Sequence, residues 1–181
     1  MNSNRIDNLS PVSRVNYLMG TFSRRSFASI LEEMDRAIGS REAGRYIAIT
    51  NTESIYHALH DDQHQRYIRN AAFSCCDGIG VVFAGRLLGH RIPRLHGPDL
   101  MLECCRFGVQ GGWKHFFFGG KAGIPERLSG NLTAIYPGLI TVGTYSPPFR
   151  TLTKQEDDAI IEMINVHNPD VLWVGLGLPK Q

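Results

Sequence analysis

The chain has 181 residues, 43% of them hydrophobic and 20% charged, with a formal charge of +2. That length supports one real core and makes two domains cramped, while so small a charge, with no basic run interleaved with aromatics, argues against nucleic-acid binding. The four cysteines fall as two adjacent pairs, Cys75-Cys76 and Cys104-Cys105, which is neither a disulfide framework nor metal-ligand spacing; they read as small buried apolar residues of a reducing cytosol.

Residues 1–14 are polar and aperiodic and read as a flexible N-terminal arm, leaving residues 15–181 as the folded domain. A first short strand is expected at 15–19. The string Ser23-Arg-Arg-Ser-Phe-Ala is like a twin-arginine export signal, but the charged residues behind it leave no apolar segment, so export is rejected. Ser23 is instead read as a helix cap, with Phe27, Ile30, Leu31, Met34 and Ile38 on the apolar face.

A strand at 46–50 ends in Thr50-Asn51-Thr52, whose side chains can cap a helix over 53–70. On that helix His57, His60 and His64 share one face, which a metal could use; the polar surroundings favour a solvated surface. A buried strand near Phe73 leads to Asp77 and a helix whose apolar face is read as Ile79, Val82, Phe83 and Leu87. Asp77 has two readings that stay open here. It is an N-cap, or it is a carboxylate placed for chemistry. The loop 89–97 follows; Arg86 ahead of it and Arg91 and Arg94 within it, with His90 and His96, form a basic cluster that suits a solvated loop or a diphosphate leaving group.

After a helix over 98–109, the strand His115-Phe-Phe-Phe118 ends in Gly119-Gly-Lys-Ala-Gly123, where backbone N–H groups could cradle phosphate or simply let a helix pack. A helix over 125–135, a strand over 138–143, a helix over 153–166 with Ile160, Ile161 and Ile164 on its buried side, and a strand over 170–175 complete the chain. Strands alternating with helices imply an α/β fold, a mostly parallel Rossmann-like sheet with helices on both faces. In such sheets ligands bind at the carboxyl ends of the strands, so Thr50-Asn51-Thr52, Asp77, Gly119-Gly120 and residues 175–181 are expected to converge on one rim. No run of about 18 apolar residues is present to span a membrane. Neither G-x-G-x-x-G nor a P-loop motif occurs.

Taken together, Asp77-Gly-Ile-Gly-Val-Val, Arg86-Leu-Leu-Gly, Arg94-Leu-His-Gly-Pro-Asp-Leu, Phe118-Gly-Gly, Tyr136-Pro and Asn168-Pro-Asp-Val-Leu-Trp-Val-Gly-Leu-Gly-Leu-Pro-Lys-Gln181 resemble the WecG/TagA/CpsF glycosyltransferase family over residues 15–181. The resemblance implies an inverting, metal-independent transferase without cofactor. It would move a sugar of the N-acetylmannosamine type from a UDP donor to a polyprenyl-diphosphate-linked sugar in cell-surface polysaccharide synthesis. It also implies a cytoplasmic protein, peripheral at the inner face of the membrane, with a homo-oligomer left open. By that resemblance Asp77 is the catalytic base, Arg94 lies near the diphosphate and Gln181 at the pocket. Thr50, Asn51 and Thr52 fall on donor-contact positions, although Thr52 stands where relatives have Asn and Asn51 is displaced by one. Gly119 and Gly120 complete the substrate-binding set. No Asp-x-Asp pair is present, in keeping with metal independence. Relatives continue beyond the Gln181 motif, so the chain is expected to lack a C-terminal segment, to have little activity, and to leave apolar surface around Val171, Trp173 and Leu178 partly exposed. Non-catalytic alternatives are a UDP-binding module and a scaffold derived from such a transferase.

Overall fold

The computed structural model describes residues 14–17 and 20–177. Gln181, Leu178 and nearly all of the proposed arm lie outside the described residues. Its elements alternate as an α/β chain with parallel sheets, and the chain divides between Met101 and Leu102 into two compact units.

The first unit opens with a hairpin of β1 (Arg14–Tyr17) and β2 (Gly20–Ser23), paired antiparallel. Ser23 does not cap a helix: it ends β2, and its buried hydroxyl accepts from the Arg25 N–H. The cap of α1 (Phe27–Gly39) is Ser26, whose side chain accepts from the Ser29 N–H. Ile30 and Leu31 are buried on this helix, together with Glu33, which pairs with Arg45 at 3.0 Å and with Arg36. A buried carboxylate persists only when paired in this way. Its own burial opposes ionisation, but the hydrogen bond from Arg45 and the two guanidinium charges prevail and hold it below the usual carboxylate range.

Strands β3 (Ile47–Thr50) and β4 (Phe73–Cys76) pair in parallel, and every residue of β4 is buried. Between them lie two helices in place of the one expected over 53–70, α2 (Thr52–His60) and α3 (Asp62–Asn70). Asp61 makes the break. Its extended backbone takes the Asp61 N–H to the His57 carbonyl, closing α2, while its carboxylate accepts from the Gln63 N–H and caps α3. Asp favours caps over helix interiors because its short side chain competes for nearby backbone amides. The break interrupts the spacing of His57, His60 and His64. The His60 ring turns to the Tyr56 carbonyl, and those of His57 and His64 lie 5.8 Å apart.

Helix α4 (Ile79–Leu87) buries Val81, Val82 and Gly85. The expected face is thus largely reversed: of Ile79, Val82, Phe83 and Leu87 only Val82 points inward, and the other three are exposed. Val81 and Val82 join Phe22, Ile55, Cys76 and Ile92 in one core cluster.

Helix α5 (Gly97–Gly111) carries the chain from the first unit into the second, where β5 (Lys114–Gly119) is the central strand of a parallel sheet ordered β6-β5-β7. Its neighbours are β6 (Ile140–Tyr145) and β7 (Val171–Gly175), reached through α6 (Ile124–Ile135) and α7 (Lys154–His167). Thr153 and Glu156 form a reciprocal capping box at the start of α7, and Arg150 grips the Glu156 carboxylate at 2.6 and 2.8 Å. The hydrogen bonds from Arg150 and Thr153 pull that carboxylate down to about 2. On α7 Ile164 is buried but Ile161 is exposed. On β7 Leu172 and Val174 are the exposed apolar side chains; Trp173 is half-buried, as the expected partial exposure has it, but Val171 is buried. The strand pleat sets this alternation. Among the described residues no helix is long and apolar enough to cross a membrane.

All four cysteines are buried thiols outside any disulfide. Burial, and for Cys75 its neighbour Cys76 as well, raises the Cys75 thiol to about 12 and the Cys105 thiol to about 11, so both stay protonated and serve as packing.

His115, on β5, is fully buried. The Trp173 indole N–H donates to its Nδ1 at 3.1 Å, and since an indole can only donate, the ring proton must sit on Nε2. Protonation would set an Nδ1–H against that indole. Burial lowers the His115 pKa to about 4, against a smaller opposing pull from Asp170. Because the folded value lies below the unfolded one, stability is full above about pH 6.5 and is lost as pH falls toward 4, by up to about 3 kcal/mol. Denaturant titrations of wild type and His115→Asn at pH 7 and 4.5 check this. The wild-type advantage should shrink at the lower pH, and a constant gap would rule the account out.

Candidate functional site

The polar ends of β3 and β4 and the loop before α5 assemble one cluster in the first unit. Asp77 follows β4 directly. Its N–H donates to the Thr50 carbonyl at 3.0 Å, and its carbonyl accepts from Arg94 Nε at 2.9 Å, so both main-chain groups are tied down. The carboxylate is left for other purposes. The N-cap of α4 is Gly78, with no side-chain cap bond, so the capping reading of Asp77 does not hold. The Asp77 side chain is 22% exposed, and its Oδ1 lies 3.9 Å from His96 Nε2.

His96 is held between two acids, its other nitrogen 3.4 Å from Asp99 Oδ2. In the sequence it counts only as one charge of a basic cluster, because nothing in spacing places His96 opposite Asp77. Arg94 is exposed, and its bond to Asp77 uses one donor of the guanidinium fork, an arrangement that leaves a planar cationic group beside the carboxylate.

The three residues at the end of β3 divide their roles. Thr50 is buried and its hydroxyl bonds Ser74 at 3.1 Å, so its side chain belongs to the core and its carbonyl positions Asp77. Asn51 caps α2, accepting from the Ser54 N–H at 2.9 Å, as the sequence suggests. Thr52 is the exposed one of the three. Its hydroxyl oxygen lies against the start of α4, where a Cβ at Gly80 would approach it to 3.3 Å and one at Gly78 to 3.5 Å. The start of α2 thus lies close against the start of α4, with Gly80 at the tighter of the two approaches.

In the second unit Gly119 and Gly120 end β5. Gly119 adopts φ 122°, and the Gly120 N–H donates to the Gly175 carbonyl at 3.0 Å, tying the carboxyl ends of β5 and β7 together. That amide is thereby committed to the sheet. Gly123, at φ 82°, is the N-cap of α6 and brings no side-chain cap. Gln181 lies outside the described residues.

A profile of the family described as "Glycosyl transferase WecG/TagA/CpsF family" matches residues 15–181. Similar proteins named "N-acetylglucosaminyldiphosphoundecaprenol N-acetyl-beta-D-mannosaminyltransferase" occur in Staphylococcus aureus, for example in strains NCTC 8325 / PS 47 and MRSA252. Each is 25% identical over 181 residues, an alignment covering 97% of this chain and 68% of the relative.

Proposed function

Since the chain belongs to the WecG/TagA/CpsF glycosyltransferase family, we propose that it transfers an N-acetylmannosamine-type sugar from UDP to a sugar on a polyprenyl diphosphate, with inversion and without a metal. The product serves a cell-surface polysaccharide, and the protein works at the inner face of the membrane. The acceptor class follows the names of the relatives. The observation that carries the chemistry is the Asp77 carboxylate, half-buried beside His96 and free of any capping bond.

In this reading the acceptor hydroxyl attacks the anomeric carbon from the face opposite UDP, and Asp77 takes its proton as the new C–O bond forms. The bond from the anomeric carbon to the diphosphate breaks, and its electron pair leaves with UDP. Arg94 stabilises the negative charge that gathers there, a role open to a guanidinium without a metal. Tying Arg94 Nε to the Asp77 carbonyl fixes the spacing between base and cation in advance. Thr52, the exposed polar residue that opens α2, is the donor-sugar contact we assign within this unit.

The test is a screen of UDP-sugars with a synthetic lipid-diphosphate N-acetylglucosamine acceptor, and anomeric configuration read by NMR. Transfer with retention, or with no UDP-sugar, would overturn the reading. Calorimetry supplies a second check. Arg94→Ala should weaken UDP by about 1.5–3 kcal/mol, the worth of a charge-assisted contact, with a smaller change in folding. UDP binding without transfer would favour a nucleotide-binding module instead.

A further inference from the structure

Helix α4 turns its most apolar row to solvent. Ile79, Phe83 and Leu87 stand at i, i+4 and i+8, one stripe of a helix, and are 71, 60 and 73% exposed; Leu88 beside them is 57% exposed. The opposite face, with Val81 and Val82, fills the core. A helix at the surface of a soluble protein ordinarily keeps its outer stripe polar, and a contiguous exposed apolar row marks an interaction surface.

The flank of that row is cationic. Residues 78–98 contain Arg86, Arg91, Arg94, His90 and His96 and no Asp or Glu. Arg86 lies one turn after Phe83, and together with Gly89, His90, Arg91, Ile92 and Pro93 it lines an open cavity of about 500 Å³. An apolar stripe with arginines at its edge fits an interface whose outer layer is anionic and whose inner layer is hydrocarbon. A second copy of the chain fits poorly, because a twofold contact through α4 would set arginine against arginine with no carboxylate in the segment to pair them.

We propose that the outer face of α4 docks on an anionic lipid bilayer, with Ile79, Phe83, Leu87 and Leu88 entering the acyl boundary and Arg86 and Arg91 meeting headgroup phosphates. This rests on the reading of the chain as a transferase for a lipid-linked acceptor and names the surface that would meet the lipid. Helix α4 begins two residues after Asp77, so docking through it holds the candidate base near headgroup depth, where the acceptor's sugar leaves the membrane.

The experiment is flotation of the protein with vesicles of phosphatidylglycerol and phosphatidylcholine in equal parts, against vesicles of phosphatidylcholine alone. Wild type should bind the anionic vesicles, and added salt should weaken the binding. The double variant Phe83→Glu/Leu87→Glu should lose at least about tenfold in partitioning, and Arg86→Glu/Arg91→Glu should lose the preference for anionic vesicles. All four positions are exposed, so circular dichroism should be unchanged. Absence of wild-type binding would overturn the proposal. So would wild-type binding by both variants, or a vesicle-independent dimer that Phe83→Glu/Leu87→Glu disperses. A parallel transfer assay with a short-chain, water-soluble acceptor separates the two readings. If wild type turns over that acceptor but does not float, the surface is wrong and the transferase stands. If flotation depends on α4 and no acceptor is used, the surface stands and the transferase reading fails.

Discussion

Replacing Asp77 by Asn is expected to lower turnover by about 100-fold or more, equivalent to roughly 2.7 kcal/mol of transition-state stabilisation, while UDP affinity and folding change little. The separation follows from how the residue is held. Its two hydrogen bonds to Thr50 and Arg94 are made by main-chain atoms, and these survive any side-chain change. The carboxylate does not cap α4, whose N-cap is Gly78, so no cap energy is lost. An amide keeps the shape of the group and cannot take a proton. Single-turnover rates at saturating donor, thermal unfolding and UDP calorimetry on one preparation provide the comparison. Turnover close to wild type would remove Asp77 from the chemistry. A large loss of stability in place of rate would return it to a structural role.

The alternation of strands and helices was legible because buried strands carry unbroken apolar runs. Phe73-Ser-Cys-Cys76 and His115-Phe-Phe-Phe118 both lie in the sheets where the pattern puts them. What periodicity could not say is which of two apolar rows faces inward. On α4 the row Ile79, Phe83, Leu87 has the spacing of a core stripe, but Val81 and Val82 supply the buried one. Spacing identifies a face; only tertiary packing chooses between faces. The break at Asp61 was hidden for another reason: residues 60–66 carry no apolar position, so nothing there marks a change of face, and the residue that prefers to cap stands inside an unbroken polar run. At the site the residue types were legible and their roles were not. An Asp ahead of a helix has one appearance for a cap and for a base, and the decision lay in the backbone of Gly78 at φ −85°, ψ 137°. The strand-end position of Thr50 suggests a substrate contact, but its side chain turns inward to the Ser74 hydroxyl, which stands diagonally across the pair, since Cys76 lies opposite Thr50 and Ser74 opposite Ala48. The proximity of His96 to Asp77 depends on the chain running out through α4 and back through the loop that follows it, which no local pattern encodes.

Gly119→Ala is expected to cost on the order of 3–5 kcal/mol, enough to unfold the second unit under mild denaturant. Residue 119 pairs with Gly175 at the carboxyl ends of β5 and β7. A Cβ there would collide with the Gly175 carbonyl oxygen and lie 2.6 Å from its carbon. These are main-chain atoms of a paired strand, so no side chain can swing aside, and relief requires parting the two strands. That would also break the 3.0 Å bond from the Gly120 N–H to the same carbonyl. The φ of 122° adds strain for any residue with a Cβ. Gly123→Ala is the control: it too has positive φ, 82°, but a methyl group added there would meet nothing within 4 Å, so only about 1 kcal/mol of backbone strain is expected. Denaturant titration of both variants, followed at the Trp113 and Trp173 emission, measures the difference. A Gly119→Ala protein as stable as wild type would refute the close approach of the two strands. If it kept its stability but lost UDP, the glycines would be serving the nucleotide and not the sheet.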